Sequence, residues 1–306
     1  MTRRQRQSIS GFGRIVAVPV AVLLLAGASS RPIDAWGFTA HRFIMDRAIA
    51  LLPQEIRPFF EAYRTTVVEH AIDPDTYRTM GFAEEPPRHF LDMDAYGPFP
   101  FTALPHDRQA AIEKFGAEFV TKNGLLPWRT QEIADRLREA FRQTTPYARD
   151  DIKLFSAVVT HYIGDAFQPF HAAVNYDGQL TGQHGVHARF ETELFERYQD
   201  KVHVAPKPVA TIDNVRDFTF ATLTDSFRHV DEILAADRAA AAGRSAYDEE
   251  YFAKFFGRTQ SIVEQRIAGA ITAAASIITS EWVRAGKPDL PAVAPPRPPR
   301  PIRQDR

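Results

Sequence analysis

The chain is predicted to fold as an all-α protein, and three observations carry this. Apolar residues recur at helical spacing through most of the sequence between positions 41 and 281. Few segments alternate apolar and polar side chains with a period of two, so little or no sheet is expected. Proline and glycine stand between the periodic stretches, where helices stop.

The elements follow in order. Residues 1–35 are set apart from the fold. Arg3, Arg4, Arg6 and Arg14 precede an apolar run of twelve, IVAVPVAVLLLA, and then the more polar GASSRPIDA. This pattern reads as a secretory signal peptide cleaved after Ala35, too short for a comfortable membrane span. Left uncleaved, it would be an N-terminal anchor. No other segment reads as apolar enough to cross a bilayer, so none is expected after cleavage. A first helix is predicted over 41–52, with Phe43, Ile44, Ala48 and Leu51 inward and a stop at Pro53. A second is predicted over 58–69. Residues 71–106 are rich in Pro, Gly, Asp and aromatics and read as a long structured loop, a type of segment that usually carries function. Helical periodicity resumes over 108–122 and 130–142. Residues 150–165 are strongly helical, with Ile152, Phe155, Val158, Val159, Tyr162 and Ile163 on one broad face. A glycine-rich loop, NYDGQLTGQHG, precedes a helix over 187–198. Two long helices are predicted over 211–236 and 247–281. The tail, 287–306, is Pro- and Arg-rich with almost nothing to bury, and is expected to be a disordered or polyproline extension. One domain, residues 36–286, is the simplest division.

Composition narrows the chemistry. The 306 residues are 44% apolar and 25% charged, as in a soluble protein with a full core. Net charge is −1, so no overall basic character points to nucleic acid. Loss of residues 1–35 removes five arginines and one aspartate and leaves −5. An anionic substrate would then be held by local charge, for which a bound cation is a good source. There are no cysteines, which excludes disulfides and thiolate ligands. Any zinc site must use His, Asp, Glu, water or the N-terminus.

His161 and Asp165 stand four apart on a predicted helix and project from one face. His187 and Glu191 repeat the spacing. His171 follows Asp165 by six residues, beyond Pro169, and can fold back toward the same centre. One such pair alone is more often a surface ion pair. Here His161 and Asp165 lie in an apolar segment, LFSAVVTHYIGDAF, where an ionised carboxylate needs strong compensation.

The run HYIGDAFQPFH, residues 161–171, resembles the signature of the zinc-dependent phospholipase C and S1/P1 nuclease superfamily, His-x-x-Gly-Asp-x-x-Gln-Pro-x-His. Members of that superfamily are all-helical and begin, once mature, with a zinc-binding Trp followed five residues on by a His. Trp36 and His41 match that spacing. The resemblance covers nearly all of residues 36–200. It implies a multi-helix phospholipase C/P1 nuclease-like domain with a trinuclear zinc site. One ion would be held by Asp75, His89, His161 and Asp165. A second would be held by Trp36, His41 and the bridging Asp165, and the third by His171, His187 and Glu191. Trp36 would bind through its free amine and carbonyl, so an uncleaved precursor should lack part of the site. Asp73 competes with Asp75 for one ligand position. Asp75 is preferred because Arg78 completes an Asp-x-x-Arg pattern in which the arginine contacts phosphate. His184 competes with His187, which alone has a carboxylate four residues on. His70 reads as structural or as orienting a ligand. His106, His203 and His229 read as surface or packing residues.

The resemblance implies a phosphodiester hydrolase that uses a metal-activated water, with Arg78 on a nonbridging oxygen and Asp73 as a candidate base or orienting group. Glu191 and the HYIGD start favour phospholipase C cleavage of phospholipids. Arg78 favours a nuclease acting on single-stranded DNA or RNA. Phe90 and Asp92, after His89, fit both, and Phe90 also reads as a core aromatic. Phe167 stands where a polar residue is usual and, with Tyr96, Phe99 and Phe101, could line an apolar pocket. A zinc-binding exported protein without turnover is the remaining enzyme-free reading, and an occluded site would be its sign. A helical module that uses the Pro/Arg tail as a ligand is another. No stable protein partner is implied, and secretion or the periplasm is the expected location.

Overall fold

A computed structural model describes residues 37–145 and 147–292. The predicted signal peptide, Trp36 and most of the predicted tail lie outside the described residues. Among the described residues there is no strand, and the protein is all-α.

Helix α8 (Ala148–Phe167) lies at the centre. Every residue from Ser156 to Ala166 is buried, so this helix is surrounded on all sides. Around it pack α1 (Phe38–Leu51), α3 (Arg64–His70), α7 (Leu126–Arg142), α11 (Val215–Phe227) and α13 (Glu249–Arg284). The predicted 58–69 helix is two short ones, α2 (Arg57–Ala62) and α3, broken at Tyr63.

The region 71–106 is less irregular than its composition predicts. It holds α4 (Asp73–Thr79) and two 3₁₀ turns, Pro86–Arg88 and Met93–Tyr96. Pro74 sits in the first turn of α4, where its missing N–H costs nothing, and Asp73 and Asp75 face the positive end of the helix. Seven residues are too few for a helical period to show in sequence. Helices α5 (Arg108–Phe115) and α6 (Ala117–Lys122) then lead into α7.

After α8 the chain makes a 3₁₀ turn at Pro169–Ala172 and crosses the glycine-rich loop. It continues as α9 (Val186–Ala188), a π-turn at Arg189–Glu193 and α10 (Leu194–Tyr198). The predicted 211–236 helix is two helices, α11 and α12 (Val230–Ala241). In the last turn of α11, Ser226 Oγ donates to the Ala166 carbonyl at 2.6 Å and accepts from Arg266. That pins the break to the end of α8.

Helix α13 has 36 residues and would measure about 54 Å at the usual rise. Its length and composition suffice to cross a membrane, contrary to the sequence expectation. Within the protein 67% of its most apolar stretch is buried, against α1, α7, α8 and α12. It is a core helix here.

Candidate metal centre

Eight of the nine expected ligand residues converge. His41 comes from α1, Asp75 from α4, His89 from the turn after Pro86–Arg88, and His161 and Asp165 from α8. His171 comes from the turn after α8, His187 from α9 and Glu191 from the π-turn. Each is at most 4% exposed. The donor atoms fall into three groups, each with all its atoms within 4.8 Å of one another. They are His41 with Asp75 and His161, His89 with His161 and Asp165, and His171 with His187 and Glu191. The third group is the expected one. The first two divide their residues differently and share His161. Trp36 lies outside the described residues, one residue before Gly37. A Cβ at Gly37 would stand 2.8 Å from Thr192 Oγ1, so α1 starts against the π-turn that carries Glu191.

Asp165 sits at the middle. Its Oδ2 is 3.0 Å from His89 Nδ1 and 3.3 Å from His161 Nε2, and its Oδ1 is 3.4 Å from His41 Nε2. His89 Nδ1 and His161 Nε2 are 3.1 Å apart. Two ligands on a tetrahedral zinc with bonds of about 2.0–2.2 Å lie roughly 3.3–3.6 Å apart. The observed separations suit one ion between several of these atoms.

Backbone carbonyls orient three of the imidazoles. His161 Nδ1–H donates to Ala71 O at 2.8 Å, His171 Nδ1–H to His89 O at 2.6 Å, and His187 Nδ1–H to Tyr176 O at 3.0 Å. Each bond selects the tautomer that leaves Nε2 with a lone pair toward the centre. Gln168 Nε2 donates to Glu191 Oε2 at 2.5 Å, and its Oε1 accepts the Phe170 N–H at 2.5 Å. His187 Nε2 stands 2.6 Å from the same Glu191 oxygen. Behind His89, the buried Glu85 lies 3.7 Å from Nε2 and binds Tyr162 and Arg88. Sequence reasoning assigned no role to Gln168 or Glu85. Gln168 stood inside the HYIGDAFQPFH run, whereas Glu85 gave no signal beyond its place four residues before His89.

The electrostatics fit a cation. Burial raises the carboxyl pKa values of Asp75 and Asp165 above the usual range. Burial likewise lowers the imidazole pKa values of His41, His89 and His161. Burial also opposes the charge of Glu191, but His187 and His171 outweigh it and hold that carboxyl down at about 2. Neither nitrogen of His41 makes a hydrogen bond, nor do Oδ1 of Asp165 and Oε1 of Glu191. Buried polar atoms normally have partners. Nitrogen and carboxylate donors at these separations are those a divalent metal ion takes, and the residues present fit one.

A cavity of about 530 Å³ opens onto His89, His171 and His187, so the centre is reachable from outside. Arg78, Phe90 and Asp92 are among the residues that line it. Arg78 Nη2 is 3.0 Å from Asp75 Oδ1. Burial, reinforced by Asp94, raises the Asp92 carboxyl to about 7. Asp73 pairs with His70 at 2.7 Å and is not among the residues lining the cavity. His184 is exposed, and the structure brings His187 instead to the centre.

Phe167 is placed elsewhere. It lies under Arg266, 4.6 Å from the guanidinium, and against Gly269, in a separate cavity of about 580 Å³. The turn of α8 sends residue 167 toward α13 while residues 161 and 165 face the centre. Tyr96 and Phe101 pack in the core, and Phe99 lies under Arg228. None of these aromatics is among the residues lining the reachable pocket.

No family model and no curated protein matches the chain. Among solved structures it is similar to the alpha-toxin of Clostridium perfringens from an avian strain. That match has 13% identity and a TM-score of 0.49, and covers 81% of this chain and 64% of that one. It is also similar to the alpha toxin of Clostridium absonum, with 16% identity and a TM-score of 0.49, covering 83% and 65%. The chain thus spans just under two thirds of the length of both.

Proposed function

We propose that this protein is a metal-dependent phosphodiester hydrolase that cleaves phospholipids in the manner of a phospholipase C. The observation that carries the reading is the set of three buried donor groups beside one reachable cavity. Divalent ions there, with three zinc ions expected, would supply a water activated near neutral pH and positive charge for the phosphorane-like transition state.

The chain's own residues would do the rest. His41, Asp75, His89, His161, Asp165, His171, His187 and Glu191 would hold the ions, and the amine of Trp36 would join His41. Gln168 and the three backbone carbonyls fix ligand orientation. Arg78 would donate to a nonbridging phosphate oxygen from the cavity wall. Asp73, at the start of α4, would act through His70 as an orienting group. Phe90, Phe170 and Val174 give the cavity an apolar side suited to the glycerol end of a lipid. Phe90 and Asp92 also support a second reading, a nuclease in which they hold a base of single-stranded DNA or RNA. The open cavity speaks against a metal-binding protein without turnover.

The test assays the processed protein, with and without chelator, against soluble short-chain phosphatidylcholine and single-stranded DNA. Chelator-sensitive release of the phosphorylated headgroup supports the lipid reading. Nucleotide release alone overturns it in favour of the nuclease. A chain with extra residues ahead of Trp36 should lose most activity and part of its metal, and equal activity would contradict ligation by the amine.

A further inference from the structure

We propose that Glu85 is a positioning residue for the metal centre, which accepts the Nε2–H of His89 and so fixes that imidazole as a ligand through Nδ1. The inference rests on the metal-binding part of the phosphodiesterase reading and extends it beyond the donors themselves. His89 is turned differently from its neighbours. His161, His171 and His187 each give Nδ1–H to a backbone carbonyl and turn Nε2 toward the centre. His89 instead turns Nδ1 inward, 3.0 Å from Asp165 Oδ2, 3.1 Å from His161 Nε2 and 3.7 Å from Asp75 Oδ1. An ion on Nδ1 leaves the ring proton on Nε2. That nitrogen is buried, and among the described residues it makes no hydrogen bond.

Glu85 is the carboxylate that faces it. Its Oε1 stands 3.7 Å from His89 Nε2, while Asp165 faces Nδ1, and Glu85 belongs to none of the three donor groups. A turn of either side chain that closes about 0.8 Å makes a hydrogen bond of about 2.9 Å. An ionised acceptor holds an N–H roughly twice as strongly as a neutral one, and it makes the imidazole a more basic ligand. The carbonyls behind the other three imidazoles are neutral.

The acid is held in place from several sides. Oε2 accepts from Arg88 Nη1 at 2.7 Å, and Oε1 accepts from the Tyr162 hydroxyl. Tyr162 follows the ligand His161 on α8 and packs edge-on to His89, with ring centroids 5.6 Å apart. Behind it, Arg129 Nε on α7 donates to the Tyr162 oxygen at 3.4 Å. The Glu85 N–H donates to Phe82 O at 3.0 Å, and the Glu85 carbonyl accepts the Arg88 N–H at 2.9 Å, which fixes the turn before His89. A pair with Arg88 alone would not require burial. The Arg88 side chain is 28% exposed, and such pairs form readily at a surface. Glu85 is nonetheless 3% exposed, where a carboxylate short of close donors is costly. The His89 N–H is the donor that this placement gains.

The experiment strips the processed protein of metal and titrates it with zinc against a competing chelator, so that the affinity of each ion is read apart from activity. Glu85→Leu leaves the His89 N–H buried without an acceptor. One ion per chain should bind about 10- to 100-fold more weakly, the usual effect of losing such a partner, with the others unchanged. Glu85→Gln keeps the size and an acceptor oxygen and should recover part of that loss. Equal zinc affinity in Glu85→Leu and wild type overturns the proposal. So does a loss spread over every ion, which marks a general loosening of the fold. Where the leucine variant does not fold, the glutamine variant decides, and unchanged affinity for every ion in that folded variant overturns the proposal. Turnover of soluble short-chain phosphatidylcholine separates this inference from the functional reading. A Glu85-dependent ion in a wild type without turnover sinks the lipase reading and keeps the role of Glu85. Turnover in wild type with every ion indifferent to Glu85 does the reverse, and a wild type that takes up no zinc overturns both.

Discussion

Asp165 is the residue on which the centre turns. One of its oxygens faces His89 and His161 and the other faces His41, so it touches two donor groups at once. Asp165→Asn keeps the size but replaces one of those oxygens by an amide nitrogen, which donates hydrogen bonds and ligates metal poorly. It should lose about two ions per chain together and lower turnover by at least about a thousand-fold, on the scale of losing a metal that activates water. Elemental analysis of the purified variant checks this, and full metal content would refute the bridging role. The titration of the neighbours gives a second expectation. In metal-free protein, burial raises the carboxyl pKa values of Asp75 and Asp165, so the folded state keeps protons that the unfolded chain has already released. Stability then falls as pH rises through the folded pKa values. His41, His89 and His161 have lowered values and act in the opposite sense, but only below their ordinary value of about 6.5. Between about pH 6.5 and 8 the acids act alone. Chelated protein should therefore melt at a lower temperature at pH 8 than at pH 6.5. Metal-loaded protein should show a flatter profile, since a bound cation favours the ionised carboxylates and so offsets the effect of their burial. Thermal melts at the two pH values, each with and without chelator, decide it.

At the scale of elements, the legibility of the sequence follows from length and burial. Helix α8 was readable because its run of apolar residues around His161 and Asp165 is long and unbroken. The pairing of His187 with Glu191 was readable as a spacing, but the π-turn that carries Glu191 was not, because an i to i+5 turn leaves no periodic mark of its own. Helix α4, which brings Asp75 beside His41 and His161 and leaves Asp73 on His70, was hidden by its seven residues and its proline. The break between α11 and α12 depends on Arg266 and Ala166, far away in sequence, and no local pattern could show it. The same holds for the brace behind the π-turn. Arg189 donates to Asp237 Oδ1 at 2.9 Å, Gln183 donates to Asp237 Oδ2 at 2.6 Å, and Tyr251 donates to Oδ1 at 2.5 Å. All four side chains are buried, and the cluster ties the glycine-rich loop and the π-turn to α12 and α13. Asp237→Ala leaves the Arg189 charge buried without its partner and should cost about 3–5 kcal/mol. Urea unfolding measures that loss. The same variant should bind the metal held by His171, His187 and Glu191 more weakly, and an unchanged affinity would mean that the brace does not position the turn.

For the whole molecule, the centre works as a set of cross-links between remote parts of the chain. His41 and Glu191 are 150 positions apart, and α1, α4, α8, α9 and the π-turn all end on the same few ångströms. The helical scaffold has its own reasons to fold. Phe59, Phe60, Val159, Ile163, Phe252, Phe255, Ile271 and Ile278 are fully buried in one continuous apolar core. Metal removal should thus weaken the protein without abolishing its secondary structure. An ion present at a thousand times its dissociation constant stabilises the folded state by about 4 kcal/mol. A domain of this size gains roughly 2–4 °C per kcal/mol, so each ion lost should lower the melting temperature by about 8–16 °C. Calorimetry with and without chelator tests the shift, and far-UV circular dichroism at 25 °C tests whether the helices persist. A collapse of the helical signal on chelation would show that the donors cannot be gathered without their ions, and that the burial of Asp75 and Asp165 costs more than the core supplies.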